Sequence, residues 1–482
     1  MYKSNILSVV AKWGVALVLG AMLSACGPKQ TFVLISTNDI HAEISKFPLL
    51  ASYVEGVRAA DTAEVILVDA GDRWTGNPYV DMAPESGQPM IELLNALDYD
   101  VVTLGNHEFD RGLEVLNKRN SEAEFEIVCA NINTGTTALA QPKPYVIKEI
   151  GGVKFGFAGF VTNFNNGHPD GEDYIFEGTD FPDVFATAAS LRPLADSCDV
   201  LIGLSHLGYD MDPQLVEALP EMDILVGGHT HTVLPEGEMM GTTLVTQTGK
   251  SLKNIGVTTI KMRGKKILSI DNHLVPTSEL TPSEKWLPII EAYYDVPTMK
   301  EVVGSVAVAA DKNGVANLLS DLLRKEMKSD FAFYHQGGVR VDGFEAGDIV
   351  RAKVFEVDPF ESRGVMVEMS LAELKTLIMN KFNDTTNPKE SHSRDLLPSG
   401  LSYTVLTDEK GDAVDVIFDY KIYPAKEKYT VVLADYIYST YNFKRPMPIG
   451  VSELVTTILE EYFQQGVAFV PDNNPRVDIR ER

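Results

Sequence analysis

Residues able to hold metal recur at the ends of short apolar runs. Asp39 and His41 close "VLISTNDIH", Asp72 closes "VILVDAGD", Asn106 and His107 close "VVTLGNH", His206 closes "VLIGLSH", and His229 and His231 close "ILVGGHTH". Imidazole, carboxylate and amide oxygen together suit divalent transition metals such as Zn²⁺, Mn²⁺ or Fe²⁺ better than Ca²⁺. A pair of such ions sharing one carboxylate can clamp a phosphoryl group for in-line attack by an activated water. Each residue alone has an ordinary explanation: Asp39 as a helix cap, Asp72 as a turn acid, any histidine as a hydrogen-bonded core group. Five of the nine histidines falling in such turns is another matter, because chance placement does not produce it.

The elements that must position them are legible as well. Short runs rich in β-branched residues ("TFVLIST", "AEVILVDAGD", "YDVVTLGNHE", "FEIVCANI", "VKFGFAGF", "CDVLIGLSHLG", "MDILVGGHTH") alternate with longer helix-compatible segments, an α/β pattern. In open α/β sheets ligands sit beyond the strand carboxyl ends, where these side chains would converge. A stretch with prolines, charges and an amphipathic part, residues 279–300, reads as a connecting helix. It divides a domain over 31–278 from a second α/β domain over 301–482, in which "NGVANLLSDLLRKEMKSD" reads as a helix. Two domains also fit the length, since 482 residues exceed one ordinary core and 44% apolar residues fill two.

The formal charge is −26, a surface that repels nucleic acid polymers. A small anionic substrate therefore needs a local cationic site against the global field. Residues 1–25 read as an export leader: a basic start, the apolar "WGVALVLGAML", then "LSAC" ending at Cys26, which resembles a bacterial lipobox. The expected mature protein is lipidated on Cys26, faces the periplasm or cell surface, and touches the membrane through that anchor alone. Removing the leader, with Lys3 and Lys12 and no acid, makes the charge two units more negative. Cys129 and Cys198 flank strand-like runs and read as free thiols.

In this order, "TNDIH", "DAGD", "GNHEFD", "LSHLG" and "GGHTH" resemble the calcineurin-like dimetal phosphoesterases, and "GNHEFD" with the second half resembles the 5′-nucleotidase branch. The resemblance implies a four-layer α/β sandwich followed by a 5′-nucleotidase-type α/β domain, and two divalent ions (Zn, Mn, Fe or Co). It implies Asp39, His41 and His231 on the first ion, Asn106, His206 and His229 on the second, and Asp72 bridging them. His107 is then the group that contacts the substrate phosphate, and Asp110 orients its ring. Where the family usually has glycine after the first histidine, this chain has Ala42.

By the same resemblance the second domain supplies the substrate pocket. Arg340 in "YHQGGVR" matches the family's arginine, His335 stands where the family has asparagine, and Phe360 and Tyr436 match two aromatics that sandwich a base. Ser362 replaces a base-reading amide, and "IYSTYNF" lacks the glycines and carboxylate of the family's ribose loop. Stacking survives such changes while hydrogen-bonding specificity does not. The expected activity is phosphate release from 5′-nucleotides. Alternatives are cleavage of 2′,3′-cyclic nucleotides or nucleotide sugars, a related branch acting on a sulfur ester, or a non-catalytic surface-anchored binding protein. The last would show damaged ligands, and none is damaged. The resemblance also implies rotation of the second domain, while oligomeric state stays open.

Overall fold

Residues 28–385, 391–422 and 424–482 are described by a computed structural model of the chain. The expected leader and its lipidated Cys26 lie outside these residues. The first domain is built on twelve strands: β1 (Lys29–Thr37), β2 (Glu64–Asp69), β3 (Val101–Thr103), β4 (Glu126–Val128), β5 (Tyr145–Ile150), β6 (Val153–Val161), β7 (Val200–His206), β8 (Ile224–Gly227), β9 (Glu238–Met240), β10 (Thr243–Thr246), β11 (Asn254–Arg263) and β12 (Lys266–Pro276). They form two six-stranded sheets, ordered β12-β11-β1-β2-β3-β4 and β5-β6-β7-β8-β10-β9. Strands β1 to β4 run parallel, as do β6, β7, β8 and β10.

Strand side chains alternate between two buried layers, which is why the runs read as continuously apolar. Phe32, Leu34, Ile66, Val68, Val200, Ile202 and Leu204 meet between the sheets. Their neighbours Ile35 and Leu67 face the other way, onto helix Phe47–Ala59 and its surroundings, while Leu201 faces a third cluster with Val184 and Leu215. The helix turns Phe47, Leu50, Ala51 and Val54 inward, the three-and-four spacing of one apolar face. Each such fully buried large side chain contributes about 1.5–3 kcal/mol. The result is helix, sheet, sheet, helix.

The segment between the domains differs from a single connecting helix. It holds one eight-residue helix, Leu287–Tyr294, between 3-10 turns Thr277–Glu279 and Pro297–Lys300. Trp286 packs on Phe47 at 5.4 Å between ring centroids and donates its indole N–H to Glu55 at 2.9 Å. Prolines break the stretch, and its apolar face joins the first domain's core.

The second domain centres on a five-stranded sheet ordered Leu396–Ser399, Phe331–His335, Tyr429–Ala434, Arg363–Met369, Gly450–Leu454. Helix Lys312–Glu326 covers it, capped by the Asp311 carboxylate, which accepts the Gly314 N–H at 2.8 Å. Strands Phe331–His335 and Tyr429–Ala434 are parallel neighbours. Their carboxyl ends, carrying His335 and Tyr436, therefore emerge side by side. No helix among the described residues is long and apolar enough to cross a membrane. Cys129 and Cys198 are free, and burial pushes the Cys129 thiol up to about 12.

Candidate functional site

The turns after β1, β2, β3, β7 and β8 meet at one end of the sandwich. Asp39 (φ 50°), His41 (49°), Asp72 (57°), His229 (75°) and His231 (52°) all adopt left-handed backbone conformations. Non-glycine residues rarely do so, and such strain gathers where side-chain direction matters more than local comfort. Ala42 shares the conformation, φ 55°, where the family's glycine would rest without a Cβ penalty of about 1–2 kcal/mol. Close packing demands glycine elsewhere: a Cβ on Gly105 would lie 2.2 Å from Asp72 Oδ1, and one on Gly228 2.8 Å from His206 Nδ1.

Neighbouring donor atoms are spaced as ligands of common cations would be. His41 Nε2 lies 3.0 Å from His231 Nε2, His231 Nε2 3.4 Å from Asp39 Oδ1, His206 Nε2 3.0 Å from Asp72 Oδ2, and His229 Nδ1 3.0 Å from Asn106 Oδ1. Ligands roughly 2.1 Å from one ion sit roughly 3.0–3.4 Å apart. His206 decides the point. Its Nδ1 bonds the Ala70 carbonyl at 2.7 Å, yet its buried Nε2, although beside Asp72, makes no hydrogen bond. Two atoms that close but misaligned aim at a third place rather than at each other. His41 likewise turns Nδ1 to the Thr75 carbonyl at 3.0 Å, which leaves Nε2 facing His231 Nε2 at 3.0 Å. Burial first, and Arg340 second, hold His41 neutral, the form that ligates. The residues thus fit two cations, drawn from three overlapping groups: Asp39, His41 and His231; Asp39, Asp72 and His206; and His41, Asp72 and His107, the last with His107 Nε2 at the longer distance of 3.9 Å from Asp72 Oδ2.

His107 is arranged differently. Its Nδ1 pairs with Asp110 Oδ2 at 2.8 Å, its backbone N–H donates to Asp72 Oδ1 at 2.9 Å, and its ring faces the cavity. Burial disfavours the charged ring, but Asp110 and Asp72 outweigh it and lift its pKa to about 9.

The second domain closes over this end. A cavity of about 1340 Å³ between the domains is lined by Asn106, His107, His229, Arg340, Phe360 and Tyr436 among others. The 3-10 turn Gln336–Gly338 delivers Arg340, whose N–H donates to the Val357 carbonyl at 2.9 Å. Its guanidinium lies 5.3 Å from the centre of the Phe360 ring. Phe360 stacks on His107 (5.2 Å, 21°), and Tyr436 stacks on His335 (4.7 Å, 18°). Each aromatic therefore spends one face on a histidine. The Phe360 loop is pinned from both domains: Asp358 accepts from Tyr334 Oη (2.6 Å) and Ser362 Oγ (3.0 Å), while Arg111 donates to the Pro359 carbonyl (3.1 Å) and pairs with Glu361.

All seven expected metal-site residues, with His107 and Asp110, come together, and Arg340, His335, Phe360 and Tyr436 line the same cavity. Two contributors escape a reading of the sequence. Glu108, fully buried, accepts the backbone N–H groups of Asp72, Arg73 and Gly105 and so ties the β2 turn to the β3 turn. Asp170 places Oδ2 3.5 Å from His229 Nε2.

Fold and site first define a class, a metal-binding α/β sandwich with an appended α/β domain. Residues 33–233 match the family model of the calcineurin-like phosphoesterases, and residues 297–443 match that of the 5′-nucleotidase C-terminal domain. The chain thus carries a calcineurin-like phosphoesterase domain followed by a C-terminal domain of the 5′-nucleotidase type. It is similar to the 5′-nucleotidase of Vibrio cholerae serotype O1, 27% identical over 415 residues, covering 71% of this chain and 74% of that one. It is 24% identical to the trifunctional nucleotide phosphoesterase of Bacillus subtilis over 78% of its own length, and spans only 29% of that relative. The crystal structure of a 5′-nucleotidase precursor from Thermus thermophilus shares the fold, with TM-score 0.76 at 22% identity over 93% of this chain and 99% of that one.

Proposed function

We propose that the chain hydrolyses phosphate esters at a two-cation centre, with 5′-nucleotides as the substrate class. The observation that carries this is the set of misaligned but closely spaced donors around the buried, unbonded His206 Nε2, roofed by Arg340 from the other domain. Asp39, His41 and His231 would hold one ion and Asn106, His206 and His229 the other, with Asp72 available to both. Bound there, divalent Zn, Mn, Fe or Co ions would polarise the phosphoryl group and lower the pKa of water.

The remaining work falls to the chain's own groups. His107, protonated through Asp110, donates from Nε2 to the phosphoryl oxygens as negative charge grows on them. Asp110 keeps the proton on Nδ1 and fixes the ring. Arg340 meets the anionic end of the substrate in a protein whose net charge opposes anions. A base entering the cavity meets Phe360, already flanked by His107 and Arg340, and Tyr436, stacked on His335, and His335 stands beside the sugar. The nucleotide relatives support this substrate class.

Incubating the Mn²⁺-, Zn²⁺- or Co²⁺-loaded full chain with nucleoside 5′-monophosphates, 2′,3′-cyclic nucleotides, nucleotide sugars and an aryl phosphate tests the proposal. Phosphate release fastest from 5′-monophosphates is expected. Release from none of them with any metal would remove the enzyme reading, and faster cleavage of a diester or pyrophosphate would move the substrate class.

Export and lipid attachment through Cys26 belong to the same proposal, supported by "LSAC" following an apolar stretch. Cys26→Ser is expected to shift the protein from the membrane fraction to the soluble one, and an unchanged distribution would contradict the anchor.

A further inference from the structure

A ligating imidazole has two nitrogens, and the one that does not face the metal fixes the ring by what it bonds. His41 and His206 turn theirs to main-chain carbonyls, Thr75 and Ala70. His229 is built differently. Its Nδ1 is the atom beside Asn106 Oδ1, so Nε2 is the far nitrogen, and 3.5 Å from it stands a carboxylate oxygen of Asp170. The His229 backbone is already held, because its N–H lies 3.1 Å from both oxygens of Asp39 at φ 75°. What stays adjustable is rotation of the ring, which Asp170 faces.

The loop that brings Asp170, residues 162–176, is fastened on both sides of it. The His168 ring stacks on Phe176 (4.4 Å, 23°), with Nδ1 2.7 Å from the Pro169 carbonyl and Nε2 3.0 Å from Asp173 Oδ1. Toward the second domain, Asn166 Nδ2 donates to the Ser439 carbonyl at 3.4 Å, and Ser439 Oγ donates to Glu172 Oε1 at 3.2 Å. Asp170 also lines the interdomain cavity.

We propose that Asp170 is a positioning residue for the second cation: its carboxylate, 3.5 Å from His229 Nε2, fixes the ring so that Nδ1 is aimed at the ion. This rests on the metal assignment given above. The carboxylate contributes no ligand atom itself, and its effect is confined to the ion held by Asn106, His206 and His229.

The test is Mn²⁺ binding to the full chain by calorimetry, with thermal melting of the metal-free proteins alongside. Wild type is expected to bind two ions. Asp170→Ala should weaken one of them by roughly 10–100-fold and leave the other unchanged, while the metal-free melting temperature stays the same. Asp170→Asn, which keeps an oxygen acceptor, should recover most of the loss. Unchanged binding of both ions in Asp170→Ala, equal weakening of both, or no recovery by Asn would overturn the proposal. A wild-type chain that fails to bind two ions would instead remove the assignment beneath it, a failure visible before any variant is compared.

Discussion

Replacing His107 by alanine is expected to lower kcat by about 10²–10³-fold, the range of a lost hydrogen-bond donor to charge developing in the transition state, while the metal content stays at the wild-type value. The separation follows from geometry. His107 spends Nδ1 on Asp110, and its Nε2 stands 3.9 Å from Asp72 Oδ2, farther than the 3.0 Å of His206 Nε2. Its ring also lies 5.2 Å from that of Phe360, so the comparison includes KM: loss of chemistry alone leaves KM nearly constant. Asp110→Asn is a second arm. Removing the carboxylate lowers the His107 pKa from about 9, so the imidazolium is lost at lower pH and the alkaline limb of the pH–rate profile shifts toward neutrality. Metal loss in the His107 variant, or an unmoved limb in the Asp110 variant, would contradict the assignment.

Asp72→Ala is expected to have the larger effect, on metal content and turnover together. Asp72 Oδ2 is 3.0 Å from His206, 3.9 Å from His107 and 4.0 Å from His41, and Oδ1 accepts the His107 N–H. Removing it takes a shared negative charge from two cations and frees a buried N–H. Turnover should fall on the order of 10³-fold or more, equivalent to several kcal/mol of lost transition-state stabilisation. Asp72→Asn separates the two contributions, because the amide oxygen still accepts the N–H while the charge is gone. Ions retained at wild-type occupancy in the alanine variant, by metal analysis after dialysis, would show that Asp72 does not bridge.

The convergence of the candidate ligands was legible in the sequence because each follows its own apolar run within a few residues, and parallel strands carry their ends to one edge. The four-layer fold was legible for the same reason, since both faces of the central strands are buried. What stayed hidden depends on packing between segments remote in sequence. Asp170 sits in "NNGHPDGED", a run that reads as turn chemistry, and nothing in it points to His229. Glu108 stands inside "GNHEFD", but its role needs the β2 and β3 turns to abut. The pairing of His335 with Tyr436 follows from two strands that become parallel neighbours across about a hundred residues of chain. Phe360 reached His107 only through domain packing, secured by Arg111. The stretch 279–300 read as a connecting helix because it carries prolines, charges and an amphipathic part, yet Trp286 and Ile290 give it enough apolar surface to join the first core.

The central claim is a pair of cations at the strand ends, and anomalous diffraction from crystals of the full chain grown with Mn²⁺ tests it most directly. The account predicts two peaks about 3.5–4 Å apart, one among Asp39, His41 and His231, the other among Asn106, His206 and His229, with Asp72 touching both. A single peak, or peaks that leave the buried His206 Nε2 without a cation, would contradict it.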